Sequence, residues 1–167
     1  GFEAGHYCTA VGYQALYNTA ANGGTYGATA VGMRAGDYQR TGDYGVYVGM
    51  DADTYYSNSS NGVAVGYQAG HDLTTGQNNV IIGTFAADAL TTGGQNTVVG
   101  TGCMRSGVVT GSLNSAFGRN AGQNLTSGGN NLFLGHNAGR TASPSGNITT
   151  GSNNVVLGDE DITALFC

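Results

Sequence analysis

Residues 62–70 read GVAVGYQAG, and residues 79–87, which begin 17 positions later, read NVIIGTFAA. In both stretches a short apolar run ends at a glycine, and an alanine follows three positions after it. The same arrangement recurs along the whole chain with successive spacings of 20, 17, 17, 17, 17, 18, 17 and 23 residues. A near-constant period predicts a repeat architecture, and we number each repeat relative to its column glycine. The glycine column consists of Gly12, Gly32, Gly49, Gly66, Gly83, Gly100, Gly118, Gly135 and Gly158.

The three residues before each column glycine predict a short β-strand. They are almost all β-branched, aromatic or small, as in Val63, Ala64 and Val65, and they are bounded by Gly and Asn. Positions −1 and −3 share one face of such a strand, and position −2 lies on the other. Neither face carries a charge, so we predict that both are buried. Since a lone solenoid wets its outer face, this pattern favours an oligomer.

The remaining positions of each repeat predict tight corners. Position +3 is Ala in most repeats, which indicates close backbone approach. Asn occupies position −4 in the later repeats, where it can form an amide ladder between stacked turns, and a Thr/Ser-Gly turn precedes it. The ladder residues are Asn79, Asn96, Asn114, Asn131 and Asn154. We therefore predict an all-β fold, a β-helix or β-roll with coils of about 17 residues.

Three segments differ in regularity. Residues 1–61 predict irregular N-terminal coils, residues 62–158 predict regular coils, and residues 159–167 predict a cap or a linker toward a downstream segment. The longest step contains the insertion 141–147 with the one proline, Pro144, and predicts a surface loop. The chain opens inside a repeat, so we expect it to be part of a longer protein.

Composition excludes several classes of protein. Glycine accounts for 31 of 167 residues and only 9% are charged, against about 25% in ordinary globular domains. The net charge is −5 and there is no lysine, which disfavours nucleic acid as a partner. No apolar run approaches the roughly 18 residues of a membrane helix, so we expect no membrane insertion.

Cysteine and histidine offer few metal ligands. Cys8, Cys103 and Cys167 are far apart, which predicts incidental small residues, with an inter-chain disulfide at Cys167 as the alternative. His6 and His71 share a repeat position and could meet on a three-fold axis. Without a closer His or Cys cluster we predict neither a metal nor a cofactor.

Catalytic patterns are also lacking. The acidic residues fall mostly at turn positions, where they bond the local backbone, and Asp159-Glu160-Asp161 is the densest group. No G-x-S-x-G motif is present, and no glycine-rich stretch leads from a strand into a helix. We therefore predict that the protein is not an enzyme.

Aromatic residues suggest one binding site. Tyr38, Tyr44, Tyr55 and Tyr56 lie close together in the sequence. Tyr rings stack on the apolar faces of sugars, so these four residues are candidate glycan contacts, although Tyr can equally fill gaps between irregular coils.

Several segments resemble a known family. NNVIIG (78–83), NTVVG (96–100) and GVAVGYQAG (62–70) resemble the repeats of bacteriophage tail-fibre and tailspike proteins, upstream of a self-cleaving intramolecular chaperone domain. The ending NNVVLGDEDITALFC (153–167) is similar to the segment that leads into such a domain. The resemblance implies a homotrimeric fibre on the virion, outside the cell, that acts as a rigid shaft or a receptor-binding segment. The partners are then other copies of the chain and a host glycan or receptor.

Two other functions remain open. The repeats also resemble the heads of trimeric bacterial adhesins, although those repeats are shorter. A monomeric β-solenoid that binds glycan or ice is the second alternative, because regular Thr arrays on a flat solenoid can order water. Here the Thr residues adjoin Gly in turns, which is unlike an alternating Thr array.

Overall fold

A computed structural model describes residues 7–18, 26–38, 44–54, 58–140, 146–159 and 161–162. These residues form a parallel β-solenoid, and no helix occurs among them. Each coil contributes one three-residue strand that ends directly before its column glycine. The strands are β1 (Thr9–Val11), β2 (Thr29–Val31), β3 (Val46–Val48), β4 (Val63–Val65), β5 (Val80–Ile82), β6 (Thr97–Val99), β7 (Ser115–Phe117), β8 (Leu132–Leu134) and β9 (Val155–Leu157).

The strands form one nine-stranded sheet in sequence order. Every pair is parallel and in the register that the glycine column predicts, for example Val63 opposite Val80 and Val65 opposite Ile82. Each coil therefore stacks on the next coil of the same chain, at about 4.8 Å per step. The β-helix prediction is confirmed, and successive coils of the same chain pair directly with one another.

The column glycines make the first corner after each strand. From Gly12 to Gly135 their φ angles lie between +109° and +141°. From Gly32 onward, the backbone N–H of each column glycine donates to the carbonyl of position −1 in the preceding coil, as Gly83 N–H does to Val65 O at 2.8 Å. Two further left-handed positions, +2 and +4, complete the corner, and Ala at +3 points inward. The recurring small residue is thus explained by close packing between successive coils.

The interior is narrow and is built from four columns of side chains. Position −2 is buried from β2 onward, for example Ile81 at 1% and Phe133 at 0% exposure. Position +3 and the Leu residues of the later coils, such as Leu90, complete the apolar part. The Asn residues at position −4 form the fourth column.

The predicted Asn ladder is confirmed. Asn96 Oδ1 accepts hydrogen bonds from the backbone N–H and from Nδ2 of Asn114, at 2.9 and 3.1 Å. Asn114 Nδ2 also donates to the carbonyl of Gly128 at 3.0 Å. The same pattern links all five Asn residues. Each buried side-chain amide therefore forms hydrogen bonds both to a neighbouring Asn and to a corner carbonyl.

Cys103 takes the place of alanine at position +3 and is fully buried, whereas Cys8 is half-buried. The thiol of Cys103 lies 3.1 Å from the carbonyl oxygen of Ala121. Burial raises the pKa of Cys103 from its ordinary value near 9 to about 12. Cys167 lies outside the described residues.

We expect Cys103 to resist alkylation in the folded protein. Its raised pKa alone leaves a roughly thousandfold smaller thiolate fraction at pH 8 than an ordinary thiol has. Iodoacetamide at pH 8, followed by peptide mass spectrometry, should modify Cys8 in the native protein and Cys103 only after denaturation in urea. Equal rates at Cys8 and Cys103 in the native protein would contradict the burial of Cys103.

Candidate interaction surface

The outward side of the sheet carries an apolar face that runs along the whole solenoid. We define the apolar face as positions −3 and −1 of all nine strands. None of its side chains bears a charge or an amide. Its residues are Thr9, Val11, Thr29, Val31, Val46, Val48, Val63, Val65, Val80, Ile82, Thr97, Val99, Ser115, Phe117, Leu132, Leu134, Val155 and Leu157.

Much of this face is open to solvent in the single chain. Val11 is 57% exposed, Ile82 39%, Leu134 48% and Val155 70%. Only position −2 is buried within the chain, so the predicted burial of the second strand face is not achieved by one copy alone.

The dimensions of the apolar face follow from strand geometry. Eight steps of about 4.8 Å make it roughly 40 Å long, and its two columns with their side chains span about 10 Å. Its projected area is therefore about 400 Å², which is comparable to the largest apolar patch of a typical monomer, a patch that is often functional. A parallel sheet with a solvated apolar face is unusual, since both faces of parallel sheets are ordinarily covered.

Charged residues lie on a different side of the solenoid. Every charged side chain among the described residues falls between positions +1 and +6, directly after the column glycine, and we name this part of the coil the charged side. Arg34 pairs with Asp51 at 2.8 Å, and Arg105 pairs with Asp88 at 3.2 Å. The guanidinium of Arg105 also lies 4.0 Å from the ring centroid of Phe85.

Several carboxylates of the charged side are partly withdrawn from water. Burial raises the pKa of Asp88, and the neighbouring Arg105 opposes that effect. Burial likewise raises the pKa of Asp37, against a hydrogen bond from Asn18. Such carboxylates occupy turn positions, as predicted for Asp51 and Asp53, which have φ angles of +57° and +46°. The contacts of these carboxylates indicate that they belong to the structure of the corners.

The C-terminal end holds a small polar cluster beside an apolar pocket. His136 Nδ1 lies 3.0 Å from Asp159 Oδ2. Burial acts to raise the pKa of Asp159, but hydrogen bonds from the backbone N–H of Asp161 and from His136 outweigh it and lower the pKa. A pocket of about 270 Å³ next to this pair is lined by Leu134, Leu157 and Ile162. Glu160, the middle of the predicted acidic group, lies outside the described residues.

A third side of the solenoid carries hydroxyls and amides, and we name it the hydroxyl side. Its Thr residues form hydrogen bonds within the fold. Thr74 Oγ1 donates to the carbonyl of Thr91 at 2.9 Å, and Thr126 Oγ1 donates to that of Thr149 at 2.9 Å. These hydroxyls tie one coil to the next. The arrangement explains the Thr-Gly turns as structural and gives no support for ice binding by those residues.

Two of the four predicted glycan contacts, Tyr38 and Tyr44, lie among the described residues. Tyr38 follows its column glycine by six positions and is 38% exposed, whereas Tyr44 precedes β3 and is 66% exposed. Tyr44 packs over Gly27 of the preceding coil. Tyr55 and Tyr56 lie outside the described residues, so the four-residue site stays a prediction.

Metal ligands do not gather in the part of the chain that is described, where no group of three or more His, Cys, Asp or Glu could hold an ion. His71 instead contacts Asp72 at 2.7 Å. His6 lies outside the described residues.

Comparison with protein-family models, with curated proteins and with solved structures gave no match. Within the described residues no helix has the length and apolar character needed to span a bilayer. Sequence reasoning found the apolar strand residues but missed that most charged residues fall at positions +1 to +6, which the glycine numbering could have revealed.

Proposed function

We propose that this chain is a structural segment of a homotrimeric fibre, in which the apolar face of each copy packs against the other copies. The observation that carries the proposal is the uninterrupted, charge-free face on the outward side of all nine strands. Covering about 400 Å² of apolar surface per copy contributes roughly 10 kcal/mol before the costs of association. The charged side and the hydroxyl side then form the outer surface of the rod.

The role that fits such a rod is mechanical and presentational. In-register coils with paired backbones and no lysine make a stiff, protease-resistant shaft. The resemblance of the repeats to tail-fibre proteins of bacteriophages supports a shaft or host-binding segment on a virion, without catalysis. Contact with a host surface then gains strength from three-fold multivalency.

A lysine at the centre of the apolar face tests the assembly. We expect the wild-type protein to have a native mass of three chains by light scattering coupled to size exclusion, and Ile82→Lys to have the mass of one chain. An unpaired ammonium buried between copies costs several kcal/mol. Gln77→Lys, an exposed residue of the same coil on the hydroxyl side, is the matched control and should remain trimeric.

Two outcomes would count against the proposal. A wild-type protein that is monomeric at micromolar concentration removes its basis, and a trimeric Ile82→Lys variant would place the interface elsewhere. Host recognition is a separate measurement, namely binding of the labelled trimer to bacterial cells. Binding that is equally strong for wild type and for the monomeric variant would show that multivalency plays no part.

A further inference from the structure

The two halves of the solenoid are held together by different interactions. From Asn79 onward, position −4 carries the buried Asn ladder. In the earlier coils the same position carries Cys8, Ala28, Gly45 and Gly62. These residues have no side-chain amide that could bond a neighbouring coil. We name the coils of β5 to β9 (residues 79–158) the ladder coils and the coils of β1 to β4 (residues 9–78) the N-terminal coils.

Tyr47 excludes an Asn from position −4 of its own coil. A Cβ added at Gly45 would fall on the Tyr47 hydroxyl, so the ring occupies the space that an Asn side chain fills in the ladder coils. A Tyr at position −2 and an Asn at position −4 therefore cannot occur together in this coil.

Position −2 also differs between the two sets. It is Ala in β1, β2 and β4 and Tyr47 in β3, whereas it is Ile81, Val98, Phe133 and Val156 in most of the ladder coils. Among the described residues, the buried Leu column begins after β4, with Leu73. At position −2, the Ala coils remove less apolar area from water than the coils of Ile81, Val98 and Phe133 do.

Buried carboxylates weaken the N-terminal coils further. Asp37, Asp51 and Asp53 are only 3%, 4% and 2% exposed. Asp53 accepts a hydrogen bond from Ser59 at 2.8 Å, and Asp51 pairs with Arg34. Burying a charge costs free energy that such contacts offset only in part. At position +4, where Asp53 lies, the ladder coils have Ala87, Met104, Gly122 and Gly139.

A small void lies at the boundary between the two sets. It measures about 10 Å³ at the fourth coil, where it is lined by Tyr47, Asp53, Gly62, Leu73 and Asn79. The strands on either side of the boundary are paired in the same parallel register as the other strands, so the two sets differ in their side chains and not in their backbone pairing.

We propose that the solenoid opens from its N-terminal coils while the ladder coils stay closed, and that the first ladder coil is the edge on which the N-terminal coils refold. In repeat proteins, stability is the sum of the intrinsic terms of the coils and of their nearest-neighbour interfaces. A chain with one weak and one strong set of coils therefore opens as two units. This inference does not depend on the oligomer, because the apolar face extends along both sets.

Hydrogen exchange followed by mass spectrometry of the full chain tests the proposal. The comparison uses β2 and β8, each of which lies one strand inside an end of the sheet, so that fraying affects both alike. We expect amides of β2 and β3 to exchange roughly 100-fold faster than those of β7 and β8. Equal protection would overturn the proposal.

Two variants test the direction of coupling. Tyr47→Ala should speed exchange in β2 and β3 at least tenfold and leave β6 to β8 unchanged, with Tyr47→Phe as the control that keeps the ring. Asn96→Leu should speed exchange in both sets, because the N-terminal coils then lose the edge on which they refold. Faster exchange of β6 to β8 in Tyr47→Ala would show a single cooperative unit and contradict the proposal.

Discussion

Replacing Gly66 by alanine should lower the free energy of unfolding by about 3 kcal/mol or more. Gly66 has a φ of +136°, which is a conformation that residues with a Cβ scarcely adopt. A Cβ built there would also lie 2.5 Å from the carbonyl oxygen of Gly83. That oxygen belongs to the backbone of the next coil, so relief requires two coils to move apart. Strain and steric overlap therefore act at the same position.

Equilibrium unfolding in urea, followed by the circular dichroism of the sheet, measures this effect. Gly62→Ala is the matched control, because Gly62 lies in the same coil at a negative φ and its added Cβ would come no closer than 3.6 Å to Asn79 O. We expect Gly62→Ala to change stability by less than about 1 kcal/mol. Similar urea midpoints for the two variants would show that the column glycines are not required by their conformation.

Replacing Asn114 by leucine should cost about 4 kcal/mol. Leucine matches asparagine in the number and branching of its side-chain heavy atoms, so the substitution leaves no cavity and the loss reports the broken hydrogen bonds. Two buried groups lose their partner, namely the carbonyl of Gly128, which accepts from Asn114 at 3.0 Å, and the backbone N–H of Asn131, which donates to Asn114 at 3.0 Å. Nδ2 of Asn131 loses its bond to Asn114 at 3.0 Å and keeps its bond to the carbonyl of Gly151 at 2.8 Å. An unsatisfied buried polar group costs about 1–3 kcal/mol.

Asn124→Ala provides the control for the Asn114 variant. Asn124 makes an exposed hydrogen bond to Asn147 at 2.8 Å, and water can replace it. We expect this variant to lose less than about 1 kcal/mol in the same urea titration. If Asn114→Leu proved as stable as Asn124→Ala, the ladder would contribute nothing beyond the volume of its side chains.

Much of the repeat could be predicted from the chain alone, because each feature is local. The strand boundaries follow from apolar triplets such as Val63–Val65 that end at a glycine, and the register follows from the constant spacing. The ladder follows from Asn114 and its equivalents, since an amide repeated at one coil height can bond its own copy above and below.

Other features depend on how the coils stack, and the sequence cannot show them. The His136–Asp159 contact joins residues 23 positions apart, and it arises because both follow stacked column glycines by one position.

By itself, the sequence determined the coil length, the strand positions, the in-register pairing and the identity of the buried Asn column. These depend on the chemistry of single residues and on a period, both of which can be read along a chain. Only the tertiary structure decided which of two equally apolar strand faces is interior. Position −2 is enclosed by the corners of its own coil, while Ile82 and its neighbours on the apolar face are left open to solvent. The physical reason is that the turns at the glycine column all bend the chain toward one side of the sheet, and one chain cannot cover both.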